Sequence, residues 1–359
     1  MTNERRRSVP LSRDAVQIVR GLIVGELITI IIIGGLWLWL RPRLQIDNRA
    51  FSRPVSQGTN TASAVTGSTF QTVTNVPIGS FKHGGSTAWA SIRPFVDAQI
   101  QNVRPELQLR YVDPISTSPG SGSGIQMLLD GELDFVESSR PPTAAEQEIA
   151  RQRGFTLASR QVAVDGVAIA THPSLQVSGI TVEQLQQIYS GKITNWQQVG
   201  GPDLVITAFS GRPESADTVI SADKQILDQQ TFGSNIQYVY SPTEALRRVN
   251  QTPGSIYYAA ARTIVPQCAV KLLDVGLVPT KLVSPYVEPL VAKNQCPQKR
   301  NQVNTEVINN GSYPIITKLY VITKQNNGQQ QQAGEAYTNL LLTDQGQRVI
   351  EEAGLIPVR

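Results

Sequence analysis

Between Pro119 and Pro141 the chain sets two hydroxyl-rich loops around one short helix and one short strand. The first loop, Gly120-Ser-Gly-Ser-Gly124, alternates residues whose backbone can approach a neighbour closely. Ile125, Leu128 and Leu129 then form a helical stripe, and Gly131 ends that helix in the manner of a C′ glycine. A strand is predicted over Leu133–Val136, after which Ser138-Ser139-Arg140 precedes Pro141. The first loop falls at a helix N-terminus, where N–H groups and the dipole attract an anion. The second adds two hydroxyls and a guanidinium fork, which match a tetrahedral oxyanion. One Gly-Ser loop by itself is compatible with mere flexibility. Two of them spaced across a single helix–strand unit point to an anion pocket.

The same unit occurs one step earlier. Val76-Pro-Ile-Gly-Ser-Phe81 reads as a strand running into Lys82-His-Gly-Gly-Ser-Thr-Ala-Trp89, with Ser86 and Thr87 at the N-cap of the next helix. Leu107-Gln-Leu-Arg-Tyr-Val112 is the following strand and delivers the chain to the Gly-Ser loop. Strand–loop–helix in succession is the doubly wound α/β pattern, with ligands at the carboxyl ends of strands. His83 is one of two histidines, and no partner is grouped with it in the sequence, so no catalytic or metal role is assigned to it. No G-x-S-x-G, H-E-x-x-H or P-loop pattern is present, and the chain is read as a non-enzyme without catalytic residues, cofactor or metal.

Gly21–Leu40 is a run of 20 residues with one charge, Glu26, and with Trp37 and Trp39 near its end. That length spans a hydrocarbon core, and the tryptophans suit its interface. Arginines flank both ends, and their balance leans towards an N-terminus inside the cell. A cleaved signal peptide is the competing reading. Leu40-Arg-Pro-Arg43 offers no small-x-small site, which favours an uncleaved signal-anchor. The expected organisation is residues 1–20 in the cytoplasm, a transmembrane helix over 21–40, a Ser/Thr-rich flexible linker over 41–75, and a globular part outside the inner (plasma) membrane. The net charge of +4 does not call for nucleic acid, because the basic residues are scattered and no nucleic-acid-binding motif accompanies them.

Gly85-Ser-Thr87, Gly120-Ser-Gly-Ser-Gly124, Asp134-Phe-x-x-Ser-Ser-Arg140 and Gly191-Lys-Ile-Thr-Asn-Trp196, in that order, resemble the phosphate-binding proteins of phosphate ABC transporters. Gln161–Ala170 looks like that family's first crossing strand, and Asp344–Pro357 like its last helix and exit strand. The resemblance implies a two-lobed, type-2 periplasmic-binding-protein fold, with lobe 1 over 77–163 and 314–359 and lobe 2 over 164–313. It further implies capture of inorganic phosphate for ABC permease subunits. The ligand-binding residues it implies are Ser86, Thr87, Ser121, Ser123, Ser139, Arg140, Arg212 and Thr218. The loop Arg212-Pro-Glu-Ser-Ala-Asp-Thr218 departs from the family pattern, keeping its Arg and Thr but not its Gly-Ser-Gly centre. That departure favours an alternative in which the fold serves as an oxyanion sensor or scaffold without transport. Ser139 also stands where one branch of the family has an Asp that accepts the proton of phosphate, with Glu214 or Asp217 as substitutes from lobe 2.

Cys268 and Cys296 both fall in the extracytoplasmic part, and an oxidising compartment makes a disulfide the natural reading. Ser210 and Gly211 end a strand at the cleft, Trp89 and Trp196 are packing residues, and Gln325–Gln332 is a solvated loop.

Overall fold

The computed structural model describes residues 67–213, 219–221, 224–227 and 232–359. The expected transmembrane segment over 21–40 and the residues Glu214, Asp217 and Thr218 lie outside them. Among the described residues no helix is long and apolar enough to cross a membrane.

The chain runs β1 (Gly79–Gly85), α1 (Arg93–Val103), β2 (Leu107–Tyr111), α2 (Ser121–Asp130), β3 (Phe135–Ser138), α3 (Ala144–Gln152) and the long β4 (Thr156–Thr171). It continues through β5 (Gly179–Thr181), α4 (Val182–Tyr189), β6 (Thr207–Gly211), β7 (Val219–Ser221), β8 (Lys224–Leu227), β9 (Gln237–Val239) and α5 (Pro242–Gln251). Next come β10 (Ser255–Ala260), α6 (Ala261–Ile264), β11 (Lys271–Val278), β12 (Lys281–Val283) and α7 (Thr305–Asn309). The chain closes with β13 (Ile316–Gln325), α8 (Gln329–Leu341), α9 (Asp344–Glu352) and β14 (Ile356–Pro357).

The strand order β2-β1-β3-β13-β4-β10-β6-β9 is parallel at each end and antiparallel in the middle. Among the described residues the apolar core falls into two large clusters and a smaller one around Ile125 and Leu128. Of the large ones, the first gathers Trp89, Ile92, Ile100, Leu107, Leu319 and Tyr337, and the second gathers Ile169, Leu185, Trp196, Phe209, Ile256 and Leu273. β4 leaves the first core at Ala163 and enters the second at Val167, while β13 makes the reverse passage between Ile315 and Leu319. The architecture is therefore α/β with two lobes joined by crossing strands.

Local chemistry accounts for the elements. α2 ends at Gly131, whose φ of 82° only a glycine adopts without strain. α3 opens on a reciprocal Thr143–Glu146 capping box, and α4 on a Thr181–Gln184 one. Trp89 and Trp196 are buried, and each spends its indole N–H on a carbonyl, Ser138 O and Gly254 O respectively. Cys268 and Cys296 are bonded with Cα atoms 5.9 Å apart, and their loop of 28 residues corresponds to roughly 3 kcal/mol of chain entropy.

Three sequence expectations shift. The strand expected at Leu133 begins at Phe135, because Asp134 turns inward to accept from Lys82 N while its own N–H donates to Lys82 O. The expected Gln-rich loop shortens, since Gln329–Gln332 form the first turn of α8 and glutamine is a good helix former. The linker ends before residue 75: Phe70 is fully buried against the first core, worth about 1.5–3 kcal/mol, and Arg104 Nη1 donates to Phe70 O and Val73 O.

Candidate functional site

Both hydroxyl loops reach one place because two backbones touch. A Cβ on Gly124, in the first turn of α2, would lie 2.6 Å from Gly85 Cα. Gly85 itself has φ of 126°, and a Cβ there would strike Glu137 O at 2.3 Å. Glycine at both positions therefore lets the helix start, the β1 loop and the end of β3 meet. Ser86 N donates to Glu137 O, and Ser86 Oγ accepts from Ala88 N to cap a short 3-10 turn over Thr87–Trp89. From the second loop, Ser139 N donates to Ser121 Oγ at 2.9 Å, and the two hydroxyls lie 3.1 Å apart. Ser121 is the first residue of α2, so the positive end of the helix dipole lies at this contact.

A cavity of about 60 Å3 lies beside these loops. Thr87, Pro119, Ser139 and Thr317 line it together with Gly211, Ser241, Tyr257 and Tyr258. Of the residues named from sequence, Thr87 and Ser139 line the cavity and Ser121 supports Ser139. Ser86 is buried in its capping role, and Ser123 Oγ donates to Gly120 O at 3.1 Å. Arg140 forms a two-pronged pair with Glu146, Nη1 to Oε2 at 2.8 Å and Nη2 to Oε1 at 2.7 Å. Burial alone would raise Glu146, yet this pairing holds it below the usual carboxylate range. Arg140 thus braces the loop through α3. Arg212 is exposed and directly follows Gly211.

Sequence reasoning missed several cavity residues, Ser241 and Thr317 among them. Ser241 caps α5 by accepting from Glu244 N, and Ser241-Pro242-x-Glu244 was a legible helix start that was not connected to the cleft. Thr317 has a buried hydroxyl without a hydrogen-bond partner, and nothing in its local sequence marks it.

His83, also left unassigned, has partners after all. Behind the loops, β1 brings it against Asp97 and Arg93 of α1 and Glu137 of β3, all buried. Its ring stacks on Phe135, and neither ring nitrogen makes a well-formed hydrogen bond; carboxylate oxygens stand at 3.4 and 3.5 Å. Arg93 Nε donates to Glu137 Oε2, and its guanidinium lies 3.9 Å over the Tyr111 ring. Burial would raise Glu137, but Arg93 and His83 hold its carboxyl down at about 2. Among the described residues, His83, Asp97 and Glu137 are the trio close enough to share a metal. Arg93, bonded to one of the three, already supplies the positive charge, so a proton suits the set better than a divalent cation.

Residues 64–345 match the PBP superfamily domain. The phosphate-binding protein PstS of Borreliella burgdorferi is 26% identical over 287 residues, covering 77% of this chain and 89% of that protein. PstS of Bacillus subtilis is 28% identical over 281 residues, covering 78% and 81%. An ABC-type phosphate transport receptor from Vibrio cholerae shares the fold at a TM-score of 0.52 and 20% identity, covering 78% of this chain and 100% of that one. With the family domain spanning most of its length, the chain belongs to the PBP superfamily, and these relatives within it are phosphate-binding proteins.

Proposed function

We propose that the chain is a membrane-tethered extracytoplasmic receptor that captures phosphate and hands it to an ABC permease. The observation that carries this reading is the cavity lined by Thr87, Ser139, Gly211 and Ser241, beside the N-terminus of α2. Its size and its hydroxyl and N–H donors suit a small oxyanion. The relatives' names support phosphate as that anion. Lobe 1 is placed over 77–163 with 314–359 and lobe 2 over 164–313, so the ligand contacts both. Arg212 and Thr218 complete the site from lobe 2, with Arg140 steadying Ser139. Nothing in this role requires a catalytic residue or a cofactor. Calorimetric titration of the full-length protein should show phosphate binding tighter than about 10 µM. Absence of heat at millimolar phosphate would sink the proposal.

Selectivity follows from Ser139. Phosphate near neutral pH carries a proton and sulfate does not; a carboxylate in the site rejects sulfate, whereas a hydroxyl does not repel it. The margin for phosphate over sulfate is therefore expected to be modest, and Ser139→Asp should widen it about tenfold or more. Competition titration measures this, and an unchanged or narrower margin would count against Ser139 as the selectivity position.

The tether rests on the apolar run Gly21–Leu40 and the missing cleavage site after it. Mass spectrometry of the membrane fraction should recover peptides from before residue 40. A mature N-terminus between residues 45 and 60 would contradict it. The sensor reading is supported by the Arg212–Thr218 loop, which lacks the Gly-Ser-Gly centre. Phosphate uptake in cells lacking the chain separates the two, since a sensor leaves transport intact.

A further inference from the structure

The Tyr337 hydroxyl, on α8, lies 2.9 Å from Asp97 Oδ1 and 3.0 Å from Glu137 Oε1. A single hydroxyl hydrogen serves one of those oxygens, so the other short contact needs a hydrogen of its own. A protonated Asp97 donating to Tyr337, which in turn donates to Glu137, satisfies all three groups. Glu137 keeps its charge because Arg93 bonds it. The groups facing this carboxyl are His83 from β1, Arg93 from α1, Tyr111 from β2, Glu137 from β3 and Tyr337 from α8. Burial, and after it Glu137, push the Asp97 carboxyl up to about 7, although His83 draws it down. Burial would lower the His83 imidazolium, but Glu137 and then Asp97 raise it overall.

This cluster touches both loops of the cleft. Glu137 O receives Ser86 N at 2.8 Å, Arg93 Nη2 reaches Ser86 O at 3.5 Å, and Ser139 follows Glu137 by two residues. Protonating Asp97 leaves the cluster beneath the loops one unit more positive than it is with that carboxyl ionised. Two strand residues span about 7 Å, inside the screening length of about 8 Å in physiological salt.

We propose that the His83–Asp97–Glu137–Tyr337 cluster is a proton-loaded support for the anion loops, in which Asp97 takes up a proton as an anion enters. This rests on reading the cleft as an anion site. By linkage, affinity is highest with the proton bound and falls as pH rises through neutrality. Asp97→Asn keeps a neutral donor towards Tyr337 and so mimics the loaded state. In full-length protein titrated with inorganic phosphate, the affinity of Asp97→Asn relative to wild type should be near unity at pH 6. At pH 8.5 it should rise to about three- to tenfold in favour of the variant. Phosphate's own protonation is common to both proteins and cancels in that ratio. A ratio constant with pH overturns the proposal.

A ligand-free readout covers the case where the variant fails to fold or phosphate does not bind. The amide resonances of Ser86 and Ser139 in wild-type protein should titrate with the same midpoint as the Asp97 carboxyl carbon. Amides that stay fixed while that carboxyl titrates overturn the proposal. Failure of phosphate binding with titrating amides removes the phosphate reading and leaves the support intact.

Discussion

Replacing Glu137 with glutamine is expected to destabilise the fold by about 3–5 kcal/mol near pH 7. The glutamine fills the space but leaves Arg93 as a buried cation with no carboxylate bonded to its Nε. Urea unfolding of wild type and variant measures the difference through the midpoint. Because the folded carboxyl is held down at about 2, the stability it supplies is present above the ordinary glutamate range. It is lost as pH falls through that lowered value, so the gap between the two proteins should narrow in acid. A variant within 1 kcal/mol of wild type at pH 7 would mean that Arg93 finds another partner.

The second large effect is on binding. Ser121→Ala combined with Ser139→Ala should weaken phosphate binding on the order of a hundredfold to ten-thousandfold. On the proposed reading the hydroxyls offer the anion hydrogen bonds of roughly 1.5–3 kcal/mol each, and they lie 3.1 Å apart. Ser121 Oγ also fixes the Ser139 amide, so the double change removes both the donors and their alignment. Stability should change far less, which unfolding of the same samples checks. A loss smaller than fivefold would place the anion elsewhere in the cleft.

Much of the first lobe was legible because its signals are local. Gly131 after an Ile125–Leu129 stripe, and Ser86 ahead of Trp89, are each decided within a few residues. The segment Gln161–Ala170, likened to a crossing strand of the family, falls inside β4, which starts five residues earlier, at Thr156. The His83 cluster was not legible. Asp97, Glu137 and Tyr337 stand 14, 54 and 254 residues from His83, and only the packing of α1, β3 and α8 brings them together. Arg140 is a different case: the sequence identifies a guanidinium beside two serines but not its two-pronged pairing with Glu146, itself engaged in a capping box. Thr317 was missed because its position on the cavity wall is a property of strand register alone.

The crossing of β4 and β13 has a mechanical consequence. Thr317 stands opposite Asp165 in the register, between the two apolar cores. At this level the side chains contribute little bonding. Thr317 Oγ1 and both Asp165 oxygens are buried without well-formed partners, and burial pushes the Asp165 carboxyl up to about 7 against the pull of nearby Arg262 and Gly166 N–H. A register shift beside Leu319 adds local twist to the ladder. The backbone rungs run unbroken through this level, so the strands can flex but cannot slip past each other. Rotation of one core against the other would therefore twist these few residues. The joint behaves as a flexure, a thin compliant web between two stiff bodies, which returns to one rest position instead of drifting as a loose tether would.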